Sequence, residues 1–68
     1  MNVKYFKDTD TALLEFSNAA VEETREISEN VYVDLDKAGN LVSMTIEHAA
    51  TLASLPQVRI EEIDASVA

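Results

Sequence analysis

One glycine and one proline punctuate a chain of 68 residues, so the strongest turn signal in the sequence is a single site. Gly39 stands in Asp36-Lys37-Ala38-Gly39-Asn40. Glycine adopts positive φ at little steric cost, and tight hairpin turns need such a residue. On one side lies Val31-Tyr32-Val33-Asp34-Leu35, and on the other Leu41-Val42-Ser43-Met44-Thr45-Ile46. Both runs alternate apolar and polar with period two, the pattern of a half-buried strand. The spacing predicts a β-hairpin closed at Gly39.

The alternation also assigns faces. Val31, Val33 and Leu35 share one face, as do Val42, Met44 and Ile46 on the next strand. Tyr32, Asp34 and Asp36 point the other way, with Ser43, Thr45 and Glu47. A half-wet antiparallel sheet has this signature.

A second hairpin is expected at the start of the chain. Asn2 to Phe6 reads as a strand with Val3 and Tyr5 on one face. Lys7-Asp8-Thr9-Asp10 is turn material, because Asp and Thr side chains bond to nearby backbone. Thr11 to Phe16 alternates again, with Ala12, Leu14 and Phe16 on the face opposite Leu13. Residues 21–27, Val21-Glu22-Glu23-Thr24-Arg25-Glu26-Ile27, read as an exposed strand ending at Ser28-Glu29-Asn30, with a helix as the alternative. Their charges would protect a sheet edge from pairing with other chains.

After Ile46 the spacing changes. Ala49, Ala50, Leu52, Ala53 and Leu55 recur at helical intervals, and Pro56 ends the run. One or two helical turns follow from this. Val58 to Ile63 reads either as a final strand or as an extended segment that pairs with a second subunit. Residues 64–68 are expected to fray. The expected fold is α+β over a single domain, residues 1–68. It is a small antiparallel β-meander sheet of four to five strands with a short C-terminal helix.

A chain this short buries only about 60% of the surface its unfolded form exposes. It has no cysteine and one histidine, so disulfides, thiolate metal sites and His-rich metal sites are excluded within one chain. Packing and self-association remain, and a homodimer or larger assembly is expected. The apolar fraction of 47% is that of a globular protein rather than a disordered tail. Five Lys and Arg face thirteen Asp and Glu, for a net charge of −8. Nucleic acid and anionic membranes are disfavoured partners, since both are bound through cations. A basic protein is the favoured one. No apolar run approaches the roughly 20 residues that span a bilayer, and the N-terminal residues lack the apolar core of a signal peptide. A cytoplasmic address is the expectation, consistent with the absence of cysteine.

Candidate chemistry is sparse. Asp34-Leu35-Asp36-Lys37-Ala38-Gly39 opens like a calcium loop, with carboxylates at its first and third positions and glycine at its sixth. The rest fails, because Ala38 stands fifth and Thr45 stands twelfth, where a bidentate Glu is required. His48 follows Glu47, but strand neighbours point to opposite faces, and a catalytic His needs an orienting carboxylate and a nucleophile. The bland reading is a boundary histidine met by backbone or solvent. Glu22, Glu23, Glu26 and Glu29 are a solvated face, or a site for a basic segment of a partner. Carboxylate pairs hydrolyse glycosides only when set about 5 to 9 Å apart in a cleft, which a chain this small rarely builds. Arg25, Lys4 and Lys7 form no phosphate cradle without a glycine-rich loop. Phe6, Tyr32 and Leu13 fall on the face opposite Tyr5 and Phe16. Such a patch needs a cover, which Leu52, Leu55 and Ile60 or another chain would supply.

Together these runs resemble a known family. Tyr5, then Asp8-Thr9-Asp10-Thr11-Ala12-Leu13, Glu23-Thr24-Arg25-Glu26-Ile27, Val31-Tyr32-Val33-Asp34-Leu35-Asp36, Gly39-Asn40-Leu41-Val42 and Ile46-Glu47 are similar to the small bacterial and archaeal proteins of domain of unknown function 2283. The resemblance covers roughly residues 3–50. Glu15 and Phe16 stand where a Tyr is often found, and Asn30 stands where the turn has Gly. Neither departure threatens the fold. The family resemblance implies no activity, no cofactor and no site residues.

The expectation is therefore a non-enzymatic protein-interaction module without a cofactor. Its specific form is the acidic partner of a small basic protein, as an antitoxin is to a toxin. Glu22, Glu23, Glu26, Phe6 and Tyr32 are the candidate contact residues. The alternative is a small-ligand or divalent-cation binder using Asp34 and Asp36.

Overall fold

The computed structural model describes residues 1–65. Five strands form one antiparallel sheet: β1 (Asn2–Phe6), β2 (Thr11–Glu15), β3 (Glu23–Ser28), β4 (Val31–Leu35) and β5 (Leu41–Glu47). One short helix follows, α1 (Ala49–Ala53). The molecule is thus mostly β. The hairpin at Gly39 forms as expected, and the glycine holds φ at +85°. Asp36 completes the turn: its Oδ1 accepts the Ala38 and Asn40 N–H groups at 3.0 and 2.8 Å. The opening hairpin forms as well, with β1 and β2 paired from Asn2↔Glu15 to Phe6↔Thr11.

The sheet is not a simple meander. Its strand order is β1-β2-β5-β4-β3, so β5 lies between the two hairpin systems. Residues 16–22 carry the chain from β2 past the ends of β5 and β4 to the far edge. The Phe16 and Ser17 N–H groups both donate to the Val42 carbonyl, and the Glu22 N–H donates to the Leu35 carbonyl. Three strand spacings come to about 14 Å, within the roughly 23 Å reach of seven extended residues. Hydrophobicity explains the order. A sequential meander would put β3 in the centre, yet every residue of β3 is exposed and three of its six are charged. The observed order centres β5, with buried Val42 and Ser43, and sends β3 to the rim. The strand reading of residues 21–27 therefore holds over Glu23–Ser28, and the helix alternative does not.

Register sets the two faces. One carries Tyr5, Ala12, Ile46 and Val31 in one row, and Val3, Leu14, Met44, Val33 and Arg25 in the next. The other carries Lys4, Leu13, Thr45, Tyr32 and Glu26, then Asn2, Glu15, Ser43, Asp34 and Thr24. Register shifts occur between Glu26 and Ser28 in β3 and opposite Val42 in β5. Such bulges increase local twist.

The C-terminal segment crosses the apolar face. His48 and Ser54 bracket α1 in the left-handed region, at φ 56° and 57°. Leu55 precedes Pro56 through a cis peptide and is buried. Ala12, Ala49 and Leu55 form the core, with Tyr5, Leu14 and Ile46 packed against it. This corrects the expected cover. Leu55 lies on the Tyr5 and Ala12 face, not over Phe6, Leu13 and Tyr32, while Leu52 and Ile60 are exposed. The small residues Ala12 and Ala49 allow this close approach, which the Leu13 and Tyr32 face does not offer. Residues 58–63 form no strand. Val58 and Arg59 instead line a groove with Val3, Leu14 and Ile46 of the apolar face. The fraying expected for 64–68 falls largely outside the described residues.

Among the described residues, no helix is long and apolar enough to cross a membrane.

Candidate functional site

The most chemically populated surface is the polar sheet face. Alternation in β2, β4 and β5 directs Glu15, Tyr32, Asp34, Ser43, Thr45 and Glu47 onto it. Asp34 organises its middle. The Thr24 hydroxyl donates to Asp34 Oδ1 and the Ser43 hydroxyl to Oδ2, each at 2.6 Å. One carboxylate thereby links β3, β4 and β5. Ser43 is buried and polar, and this bond satisfies it. Asp34 and Asp36 do separate work, one on the face and one in the turn. The structure does not bring them together, so the cation-binding alternative gains no geometric support. Among the described residues, no three His, Asp or Glu side chains gather as a metal site.

Beside Asp34 lies Tyr32, paired in register with Glu26 on one side and Thr45 on the other. The Glu47 carboxylate, then burial, then Glu26 raise the Tyr32 phenol above its ordinary range, because a phenolate would be repelled there. At the other side of the sheet Lys4 Nζ meets Glu15 Oε1 at 3.2 Å, and Asn2 also donates to that oxygen. Both contacts hold the Glu15 carboxyl below its usual range, Lys4 foremost. No cation pairs with Glu26, Asp34 or Glu47 among the described residues. The face therefore presents four carboxylates against Lys4.

The remaining candidates scatter. Glu23 is engaged by Arg25, whose Nε lies 2.8 Å from it, and this pair belongs to the apolar face. Arg25 lowers the Glu23 pKa through that bond. Glu22 stands just before β3 and is exposed. Phe6 is exposed on β1, across the sheet from Tyr32. So Tyr32 and Glu26 are brought together, joined by Glu47 and Asp34, while Phe6, Glu22 and Glu23 stand apart. His48 is exposed at the junction of β5 and α1, and it lowers the Asp10 pKa less than the Tyr5 and Ala50 hydrogen bonds do.

Asp10 was legible only as turn material, yet it joins the two ends of the fold. It holds φ at 54°, a region Asp tolerates better than most residues. Its carbonyl accepts the Ala49 N–H at 3.0 Å, and its Oδ1 accepts the Ala50 N–H at 2.9 Å. It thus caps a helix that starts 39 residues later and has no side-chain cap of its own. Tyr5 donates to the same carboxylate. Nothing local in the sequence signals a cap supplied from so far away.

A family model described as protein of unknown function (DUF2283) matches residues 2–49. That span holds all five strands and ends at the first residue of α1. No curated protein and no solved structure matches the chain.

Proposed function

The chain belongs to the DUF2283 family, and we propose that it is a non-enzymatic interaction module whose polar sheet face receives a basic segment of a partner protein. The observation that carries this reading is the grouping of Glu26, Asp34 and Glu47 around Tyr32 with, among the described residues, no cation paired to any of them. An open sheet face with unneutralised carboxylates attracts Lys and Arg. A phenol beside them offers an apolar surface for their stems and a site for cation–π contact. The net charge of −8 adds long-range attraction and speeds encounter with a basic protein. The specific form is neutralisation of a small basic protein, as an antitoxin neutralises a toxin. The working assembly is a homodimer or larger, in the cytoplasm, without a cofactor.

Calorimetric titration with a Lys- and Arg-rich peptide tests the reading. Binding is expected to weaken at least tenfold when Glu26 and Glu47 are both changed to Gln, and to weaken with added salt. Equal affinity for the wild type and that variant would remove the reading.

A further inference from the structure

The apolar face is only half closed. α1 and Leu55 cover the Tyr5, Ala12 and Ile46 end. On the rest of that face Val33 and Val42 are buried among their strand neighbours and Val31, Leu35 and Met44 are half-buried, and among the described residues β4 makes its main contacts with β3 and β5 alone. A sheet with one apolar face needs a second layer to bury it. Among the described residues the buried apolar core is Ala12, Val33, Val42, Ala49 and Leu55, and no large side chain is fully buried.

Area gives the size of what is missing. A compact monomer of 7.5 kDa would expose about 4,200 Å². This chain exposes 5409 Å². The excess of roughly 1,200 Å², part of it on the exposed segment after Pro56, exceeds the roughly 800 Å² that each partner of a standard interface buries, and lies in the range of obligate dimers. The radius of gyration is 14.1 Å, against about 11 Å for a compact chain of this length.

Charge selects the occupant. The acidic surface of one copy repels that of another, so two copies meet most readily where charge is least. Among the described residues, the strand charges that register places on the apolar face are Glu23 and Arg25, and they neutralise each other; on the segment beside it Arg59 neutralises Glu61, leaving Glu62 and Asp64 on its exposed part. We infer that a second copy of this chain closes the apolar face, sheet against sheet about a two-fold axis. The extended segment after Pro56 borders this face, where Val58 lines a groove with Val3 and Leu14. Its Ile60 and Ile63, 79% and 84% exposed, are offered to the other copy. An isologous contact of this kind uses the same patch twice. The polar face is left outward on both copies, so the inference stands independently of what that face binds.

Sedimentation velocity on the full chain, from submicromolar to submillimolar, tests it. The expected particle has twice the chain mass of 7.5 kDa. Leu35→Glu and the double variant Ile60→Glu/Ile63→Glu are each expected to weaken association at least tenfold, and Phe6→Glu on the opposite face to leave it unchanged. Should Leu35→Glu fail to fold by circular dichroism, the double variant decides, since both its residues are exposed within one chain. A folded monomer throughout the range would overturn the inference. So would a dimer that Phe6→Glu dissociates and the double variant does not. Unchanged basic-peptide affinity in a Glu26→Gln/Glu47→Gln variant that stays dimeric would count against the proposed function alone.

Discussion

The Tyr5 hydroxyl donates to Asp10 Oδ1 at 2.6 Å, and the oxygen it meets is the one that caps α1 through the Ala50 N–H. The bond ties the first strand to the segment that covers the apolar face. Its effect on ionisation is mutual. Hydrogen bonding to Tyr5, then to the Ala50 N–H, lowers the Asp10 pKa, and hydrogen bonding to Asp10 raises that of Tyr5.

Tyr5→Phe removes the donor and keeps the ring packed against the core. Thermal unfolding is expected to shift to lower temperature, with faster amide exchange at Ala50 and Leu52 than in β4 and β5. Exchange that speeds up equally in the sheet would mean that the bond does not act on the C-terminal segment.

Leu55 is the one large side chain of the segment buried in the core cluster. Leu55→Ala is expected to cost about 2 kcal/mol in urea unfolding, the low end for such a truncation because the site lies near solvent. A change below the error of the measurement would show that the segment does not stabilise the sheet.

Gly39 was readable because a turn with positive φ between two alternating runs has a local cause. The two hairpins, the exposed third strand and the short helix before Pro56 were readable for the same reason. The order β1-β2-β5-β4-β3 was not, because it depends on which strand gains most from a central place. Asp10 was not, because its partners lie 39 and 40 residues away. The segment from Val58 alternates like a strand, but among the described residues it joins no ladder and lies in a groove against Val3 and Leu14. At the candidate face, period two placed Tyr32, Asp34 and Glu47 together correctly. Which carboxylates are neutralised was hidden, since Lys4 and Glu15 meet across a ladder.

Gly39→Ala tests the turn. The added methyl meets no atom within 4 Å, so any cost comes from the backbone at φ +85°. About 1 kcal/mol of stability is expected to be lost. Gly39→Asn is expected to lose less, because Asn tolerates that region. Equal stability of Gly39→Ala and wild type would contradict the turn geometry.

The pH profile follows from the shifted groups. Asp10, Glu15 and Glu23 have folded-state pKa values below their unfolded ones. The unfolded chain therefore binds protons first as pH falls. Stability from these groups is complete above their ordinary values, 3.8 for Asp and 4.5 for Glu, and is lost as pH drops through the lowered folded values. Tyr5 and Tyr32 are raised above 10.0, so their contribution is present below that pH and is lost as pH rises through the folded values. Melting temperature against pH is expected to be flat between these limits and to fall on both sides. The acid limb is expected to shrink in high salt, because the pairs are exposed. A maximum at the isoelectric point near 4.2 would contradict this assignment.

The face around Tyr32 is proposed to receive a basic partner. Amide chemical shifts of the labelled chain, followed while a Lys- and Arg-rich peptide is added, test it most directly. Saturable shifts are expected at Glu26, Tyr32, Asp34, Ser43, Thr45 and Glu47. Shifts confined to Glu29, Asp36 or the segment after Pro56, or none at all, would contradict it.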